Sequence, residues 1–310
     1  MNPSVRETVI SQIFSGNFQF PLPITGMPKS PSEFKELQIR TFSADETTTL
    51  TYWEAGRGTP LIILPGWSSN GAEFFYLFYL LRNKFHVYVL DPRNQGLSDR
   101  TCAGMRIARY AADLRMLIQY LALPHAIYCG WSMGASILYS YIDIYGSKGI
   151  DSLILVDEPP SILSRPAWSE RKCLNTGARF KTVDELLHNF TSEKGDDPVI
   201  LRSLLMDSPY YQNAEIFSHV FIQNDMRFLS LILYDHASQD WSDVIQRKID
   251  IPTAIFTGEY SPNLPSQQWM KDAIPNARLF IYKKEEQGDH FLMLKNPQQF
   301  AEDLQGFIRV

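Results

Sequence analysis

Gly130-Trp131-Ser132-Met133-Gly134 is the stretch that decides the fold of this chain. The residues just before it form a short β-type run, and the residues after it place apolar side chains at helical spacing. The pattern predicts a strand, a sharp turn and a helix, with the serine at the apex of the turn. Glycine on both sides permits strained backbone angles and close packing of helix on strand. We therefore expect Ser132 to be lifted out of the sheet and exposed.

The composition describes a chain able to bury one large core. Its 310 residues are 45% hydrophobic and carry a net charge of -5, and its 29 basic residues form no cluster. This charge pattern argues against binding to nucleic acid or to an anionic membrane surface. The longest apolar run, 74–81, is too short to span a bilayer. Three cysteines without a C-x-x-C pair favour a reducing compartment, and we expect a cytoplasmic protein.

Strand and helix signals alternate along most of the chain. This alternation predicts an α/β fold, with a mostly parallel eight-stranded sheet and helices on both faces. The first two β runs are joined by a short polar loop, which indicates an antiparallel start. The predicted strands are 37–42, 49–53, 61–64, 87–90, 125–129, 153–156, 253–256 and 279–282.

A long stretch without β runs separates the sixth predicted strand from the seventh. We interpret residues 159–248 as a helical cap on a core formed by 37–158 and 249–310. Most of the cap aromatics should hold its helices together, and a minority should line a pocket. These aromatics are Trp168, Phe180, Phe190, Tyr210, Tyr211, Phe217, Phe221, Phe228 and Tyr234. The proline-containing residues 1–36 are expected to form an extension that wraps outside the main fold, and they leave open whether the chain forms a homodimer.

With its elements in this order, the chain resembles the α/β-hydrolase fold superfamily over about residues 37–310. The resemblance rests on four motifs at the expected places. They are the turn 130–134, Leu64-Pro65-Gly66-Trp67 after the third strand, 91–98 after the fourth, and Gly288-Asp289-His290 near the carboxyl terminus. Pro65 replaces a histidine common in the family, and Asn94-Gln95-Gly96 replaces the common Gly-His-Gly. Neither replacement removes a catalytic group.

His290 is the predicted catalytic base. A serine hydroxyl is a weak nucleophile near neutral pH and needs a neighbour that accepts its proton. Among the six histidines, only His290 lies in a Gly-x-His loop after the last strand, and the resemblance implies the chain order serine, acid, histidine. The others are interpreted as surface residues, and because none pair at metal-ligand spacing we predict no metal. They are His86, His125, His188, His219 and His236.

The family supplies an oxyanion hole from two backbone N–H groups, one after the nucleophile and one in the third-strand loop. The resemblance places these donors at Met133 and Trp67. Pro65 lacks an N–H, but the matching donor belongs to the residue after Gly66, so the proline should not disable the site. Trp131 and Gly66 are expected to line the substrate pocket.

The acid of the triad is left open by the sequence. Three residues beyond the glycine that ends the seventh strand, where the family most often has its acid, stands Ser261, which cannot stabilise an imidazolium electrostatically. Asp157, at the end of the sixth strand, and Glu259 are the two carboxylates that could replace it. We favour Asp157, because its placement resembles that in some haloalkane dehalogenases and in cofactor-independent quinolone-ring dioxygenases of this fold.

These residues predict a serine hydrolase that cleaves an ester, thioester or related acyl bond through an acyl-enzyme on Ser132, without a cofactor. The aromatic cap and the neighbouring tryptophans favour a largely apolar or aromatic small molecule as substrate. One alternative is a cofactor-independent oxygenase or lyase, in which His290 and Asp157 deprotonate an aromatic or ketone substrate. Another is a ligand-binding member of the fold without turnover.

Overall fold

The computed structural model describes residues 3–22, 24–190, 207–211 and 226–308. In these residues one sheet of eight strands runs in the order β1-β2-β4-β3-β5-β6-β7-β8. The strands are β1 (Gln38–Ser43), β2 (Thr49–Gly56), β3 (Thr59–Leu64), β4 (Phe85–Asp91), β5 (Ala126–Trp131), β6 (Ile150–Val156), β7 (Thr253–Gly258) and β8 (Arg278–Tyr282). β2 pairs antiparallel with β1 and β4, and the other pairs are parallel. The predicted fold class is confirmed.

Helices cover both faces of the sheet. In the described residues they are α1 (Pro3–Ile13), α2 (Phe75–Leu81), α3 (Ile107–Tyr120), α4 (Met133–Tyr145), α5 (Glu170–Thr176), α6 (Val183–Phe190), α7 (Met226–Ser238), α8 (Ser242–Lys248), α9 (Leu264–Ala273), α10 (Leu292–Lys295) and α11 (Pro297–Phe307). Successive residues of β3 point to opposite faces, because side chains alternate along a strand. Ile63 accordingly joins the core that contains α2 and α11, whereas Ile62 joins the core that contains α3 and α4.

The segment before β1, predicted as an extension, begins with the helix α1 and packs apolar side chains against the core. Ile13, Phe20 and Phe34 are buried in the same hydrophobic cluster as α2. The side chain of Arg6 is also buried, and its Nη2 lies 2.6 Å from Oδ1 of Asp99 in the loop after β4. These buried apolar residues follow no helical or strand period, so they are difficult to recognise among the prolines and polar residues of the segment.

Between β6 and β7 the described residues form the helices α5 to α8, with isolated β-bridges and no named strand. Phe180 lines the cavity described below, whereas Tyr210 and Tyr211 pack against Tyr76 of α2. Phe217 and Phe221 lie outside the described residues, as does the side chain of Phe190. Across the described part of the chain, no helix has both the length and the apolar character to cross a bilayer.

The carboxyl ends of the parallel strands meet at one edge of the sheet. Parallel α/β sheets bind ligands in the crevice at this edge. The turn after β5, the end of β6 and the loop after β8 all lie there, so the predicted serine, Asp157 and the predicted histidine converge although they are far apart in the sequence.

Candidate active site

Ser132 lies on a strained turn between β5 and α4. Its φ of 52° and ψ of -130° fall in a region that non-glycine residues rarely occupy. The two flanking glycines leave no room for a side chain: a Cβ on Gly134 would lie 2.1 Å from the carbonyl oxygen of Leu64, and one on Gly130 would lie 2.6 Å from Cα of Ala135. The strand, turn and helix predicted around Ser132 are therefore present, but the serine is half-buried in the lining of a cavity and not exposed as expected.

Two backbone hydrogen bonds hold Ser132 in this conformation. Its N–H donates to the carbonyl of Val156 in β6 at 2.9 Å, and its carbonyl accepts from the N–H of Ala135 at 2.8 Å. Local strain of this kind persists only where the surrounding structure enforces it. The hydrogen bonds to β6 and to the first turn of α4 therefore stabilise the strained conformation of Ser132.

His290 lies in the loop between β8 and α10 and faces the same cavity. Its Nδ1 is 2.6 Å from Oδ2 of Asp157, and its side chain is 27% exposed while that of Asp157 is fully buried. The backbone carbonyl of His290 accepts a hydrogen bond from Nε1 of Trp131 at 2.9 Å. The imidazole therefore has one nitrogen bound to a buried carboxylate, which leaves Nε2 for the cavity side.

Asp157 follows β6 directly and is surrounded by donors. Ser261 Oγ donates to Oδ2 at 2.7 Å, Asn263 Nδ2 donates to the same oxygen at 3.2 Å, and the Thr257 hydroxyl donates to Oδ1. These donors come from the end of β7 and the loop after it. They satisfy a carboxylate that would otherwise be buried at high cost in free energy.

The structure brings Asp157, and not Glu259, to His290. Glu259 is exposed, and the contact of its carboxylate within the described residues is with the backbone N–H of Lys284 at 3.4 Å. Ser261, at the position where the family most often has its acid, instead donates to Asp157. The acid that meets His290 therefore follows β6, and Ser261, in the loop after β7, donates to it.

The loop after β3 packs directly against the nucleophile turn. A Cβ on Gly66 would lie 3.2 Å from Cβ of Ser132, and the indole Nε1 of Trp67 donates to the carbonyl of Leu229 in α7 at 2.8 Å. Gln95 Nε2 donates to the carbonyls of Gly66, at 3.0 Å, and of Ser69, at 2.6 Å. The glutamine that replaces the family's histidine thus ties down the loop that carries Trp67. No local pattern in the sequence around Gln95 indicates this role.

Ser132 and His290 open into one cavity of about 320 Å³. This volume is at the lower end of the range for small-molecule sites. Its walls are mostly apolar and come from the loop after β3, the segment between β6 and β7, the loop after β7 and the histidine loop. The apolar residues are Trp67, Pro159, Ile162, Phe180, Leu186, Leu233, Pro262 and Phe291, and the remaining ones are Ser132, Glu158, Arg179, Asn189, His236, Asn263 and His290.

Trp131 and Gly66, the residues predicted to line the substrate pocket, are not among those that line this cavity. Trp131 is the last residue of β5, and its side chain points to the face of the sheet that carries α2, where it is 2% exposed. Its ring packs 5.4 Å from that of Phe291, so it supports the histidine loop from behind. Gly66 lies against Ser132 but contributes no cavity wall.

A second polar pair, Glu158 and His236, lies in the cavity wall. Burial raises the pKa of Glu158 to about 8, and the nearby charge of Asp157 adds to the rise. Burial also lowers the pKa of His236 to about 3, and its Nε2 lies 3.4 Å from Oε1 of Glu158, which accepts a hydrogen bond from the Ser136 hydroxyl at 3.0 Å. Near neutral pH both side chains are therefore largely uncharged.

His236 is only 4% exposed, so its interpretation as a surface residue is wrong. His125 and His188 are exposed as predicted, and His86 is partly buried against Glu54. His219 lies outside the described residues. Within the described ranges, no group of three or more histidine, cysteine or acidic side chains is arranged to hold a metal ion.

Comparison with known proteins identifies the family. The family model for the alpha/beta hydrolase fold matches residues 59–297, and the chain belongs to this family. It is 32% identical to the AB hydrolase superfamily protein YisY of Bacillus subtilis over 52% of this chain, an alignment that spans 57% of YisY. It is 29% identical to a putative non-heme chloroperoxidase of Synechocystis over 71% of this chain and 80% of that protein. A pimeloyl-[acyl-carrier protein] methyl ester esterase of Vibrio vulnificus is 26% identical over 84% of this chain and 98% of the esterase.

Solved structures share the same architecture. A bromoperoxidase from Bacillus anthracis superposes with a TM-score of 0.73 at 21% identity, covering 88% of this chain and 100% of the other. An esterase from Exiguobacterium antarcticum gives a TM-score of 0.72 at 22% identity, covering 87% and 99%. The fold and family place this chain among the α/β-fold hydrolases.

Proposed function

We propose that the protein is a serine hydrolase that cleaves an ester, thioester or related acyl bond of a small, largely apolar molecule. One observation carries the proposal: Ser132 on its strained turn, and His290 with Nδ1 2.6 Å from a buried carboxylate, line the same cavity. This arrangement supplies a nucleophile, a base and a group that orients the base.

In the proposed reaction, Ser132 Oγ attacks the acyl carbon while Nε2 of His290 accepts its proton. Asp157 keeps the imidazole in the tautomer with Nδ1 protonated and stabilises the imidazolium that forms. Nε2–H then protonates the leaving group, and a water molecule, activated by the same imidazole, hydrolyses the acyl-enzyme. The backbone N–H groups of Met133, at the amino terminus of α4, and of Trp67 are the proposed oxyanion donors.

The cavity walls support an apolar acyl or alcohol group as the bound part of the substrate. Described helices of the segment between β6 and β7 supply Leu186 and Leu233 to these walls, and we propose that residues 159–248 act as a cap over Ser132. One relative is a pimeloyl-[acyl-carrier protein] methyl ester esterase, which agrees with an ester substrate.

A second candidate, a cofactor-independent oxygenase or lyase, draws on the same Asp157–His290 pair. In that reaction the imidazole removes a proton from an aromatic or ketone substrate, and Ser132 only donates a hydrogen bond. The two candidates differ in what they require of Ser132, because a covalent nucleophile cannot be replaced whereas a hydrogen-bond donor can be lost at moderate cost.

The test is labelling by a fluorophosphonate, read by intact mass, together with turnover of p-nitrophenyl acetate, butyrate and octanoate. We expect a single adduct on the wild type, no adduct on Ser132→Ala, and a loss of ester turnover by several powers of ten in that variant. Ser140→Ala changes a buried serine of α4, the helix that follows Ser132; it is the matched control and should label normally. A folded wild type without adduct or turnover would contradict the proposal, and oxygen uptake with aromatic substrates would then be measured.

A further inference from the structure

The cavity contains one charged side chain that the proposed reaction does not use. Among the described residues that line it, Arg179 is the sole lysine or arginine. Its Nη2 donates to Oδ1 of Asn263 at 3.1 Å, and no ion pair with a described residue neutralises it. The residue is exposed, and its guanidinium lies over the ring of Phe180, 5.8 Å from the ring centroid, so the N–H groups that do not bind Asn263 are accessible to a ligand in the cavity.

Two acidic residues act on the charge of Arg179 without forming an ion pair with it, namely Asp157, which faces His290, and Glu158. Because burial raises the pKa of Glu158 to about 8, this side chain is largely protonated near neutral pH. Among the described residues, no carboxylate therefore occupies the N–H groups of the guanidinium that do not bind Asn263.

We infer that Arg179 binds a carboxylate carried by the substrate, so that the enzyme acts on esters whose acyl chain ends in an acid group. This inference rests on the proposed function. A guanidinium presents parallel N–H groups that match the two oxygens of a carboxylate, and the hydrogen bond to Asn263 uses only one of its nitrogens.

The hydrogen bonds of Asn263 link Arg179 to Asp157 and so determine where the substrate's carboxylate would lie relative to the reacting groups. The Nδ2 of Asn263 donates to the backbone carbonyl of Asp157 at 2.9 Å and to its Oδ2 at 3.2 Å, while its Oδ1 accepts from Arg179. The amide thus joins the guanidinium to the loop that orients His290. Phe180 and Ile162 provide apolar wall in the same cavity, which suits a methylene chain between the ester and the acid.

The test compares two esters that differ in the end of the chain: monomethyl adipate, which ends in a carboxylate, and methyl hexanoate, which ends in a methyl group. Methanol release is measured for the wild type, Arg179→Gln and Arg179→Lys. Arg165→Gln is the matched control, because Arg165 lies in the same segment, donates to the carbonyl of Ser238 and does not line the cavity.

We expect the wild type to prefer monomethyl adipate, and Arg179→Gln to reduce the ratio of kcat/KM for the two esters by roughly tenfold to a hundredfold, mainly through KM. Arg179→Lys should restore part of the ratio, since it keeps the charge but loses the paired N–H groups. Arg165→Gln should leave the ratio unchanged. A wild type that prefers methyl hexanoate, or an Arg179→Gln variant that loses both activities equally, would overturn the inference, the latter because Arg179 would then only balance the charge of Asp157.

Binding separates this inference from the proposed function. Calorimetric titration of Ser132→Ala with both esters should give tighter binding of monomethyl adipate, and adding Arg179→Gln should remove the difference. Equal binding of both esters would overturn the inference even if the wild type is an esterase. The reverse result, selective binding by a wild type that neither turns over esters nor reacts with a fluorophosphonate, would support Arg179 as an anion site and refute the hydrolase.

Discussion

Asp91 and Asp157 are both fully buried at the carboxyl ends of sheet strands, yet their surroundings differ. Asp91 ends β4 and accepts hydrogen bonds from the backbone N–H groups of Gly71, at 2.7 Å, and Leu97, at 2.8 Å, and from Nε1 of Trp53. Asp157 follows β6 and accepts from hydroxyl and amide side chains and from His290. The same chemical group therefore joins loops in one place and orients a titratable base in the other.

Each aspartate also has a buried glutamate nearby. Burial raises the pKa of Glu73, near Asp91, to about 8, as it does for Glu158 beside Asp157. Glu73 is enclosed and pairs with the Ser69 hydroxyl, whereas Glu158 lines the cavity. Burial alone therefore does not distinguish Asp157 and Glu158 from Asp91 and Glu73, whereas contact with His290 or with the cavity does.

The largest expected difference between substitutions of Asp157 and of Asp91 is in catalytic activity. Asp157→Asn should reduce kcat by roughly 10³- to 10⁴-fold, because the amide cannot stabilise an imidazolium and favours the wrong tautomer of His290. Asp91→Asn should change kcat per folded molecule by less than about tenfold. Steady-state turnover of a p-nitrophenyl ester, corrected for active sites by phosphonate titration, measures both. Similar losses of kcat in the two variants would contradict the different roles of the two aspartates.

For the free energy of unfolding we expect the opposite order, with Asp91→Asn more destabilising than Asp157→Asn. The donors around Asp91 are backbone and indole N–H groups, which cannot accept a hydrogen bond from an introduced amide, whereas the hydroxyls of Thr257 and Ser261 can rotate and accept one. Asp91→Asn should therefore cost about 2–4 kcal/mol in the free energy of unfolding, and Asp157→Asn about 1 kcal/mol. Urea denaturation followed by tryptophan fluorescence gives both values. A larger loss for Asp157→Asn would show that its network is primarily structural.

Gln95 lies in the loop that follows Asp91, and its side chain binds the loop after β3 that packs against Ser132. Gln95→Met keeps the length of the side chain but removes both hydrogen bonds to the loop that carries Trp67. Because oxyanion donors must be held in place before the reaction, we expect kcat to fall by roughly ten- to a hundredfold with little change in KM. Gln119→Met, at an exposed position of α3, is the control. An unchanged kcat for Gln95→Met would mean that the loop after Asp91 contributes to stability and not to activity.

The smallest effect concerns pH. A glutamate whose pKa is raised in the folded state contributes stability at low pH, and this contribution is lost as the pH rises from its ordinary value of 4.5 through about 8. Glu73→Gln and Glu158→Gln should each remove that loss, so their stability relative to the wild type should increase between pH 5.5 and pH 7.5, by on the order of 1–2 kcal/mol.

Thermal unfolding across this pH range checks the gain. The two substitutions should differ in activity, because Glu158 lines the cavity and Glu73 does not. We expect Glu158→Gln to alter the pH profile of kcat/KM, whereas Glu73→Gln should leave it as in the wild type. Parallel profiles for all three proteins would mean that Glu158 has no influence on the reaction.

The elements of the fold were largely predictable because they rest on local patterns. Apolar periodicity located the eight strands, and two glycines around Ser132 indicated the turn. The packing of the amino-terminal segment on the core was not predictable, because Phe20 and Phe34 are buried without any periodic pattern. The face of the sheet that Trp131 occupies was not predictable for another reason: it depends on the register of the whole sheet.

The site was predictable only in part. Ser132 and His290 each stand in a recognisable local motif, whereas the choice between Asp157 and Glu259 had no local signal. Asp157 and His290 are 133 residues apart, and the hydrogen bond from Ser261 to Asp157 spans 104 residues. Arg179 gave no signal either, because an arginine in a sequence is ordinarily interpreted as a solvated charge.

The sequence by itself determined the parallel α/β architecture, the strained serine turn and the histidine loop, since each follows from periodicity, glycine geometry and residue type over a few neighbouring positions. Tertiary structure alone decided which carboxylate meets His290, which glutamine holds the loop beside Ser132, and that Arg179 reaches the cavity. Those contacts form where strand ends adjacent in the sheet bring distant segments together, and burial then sets the protonation of Glu158 and His236.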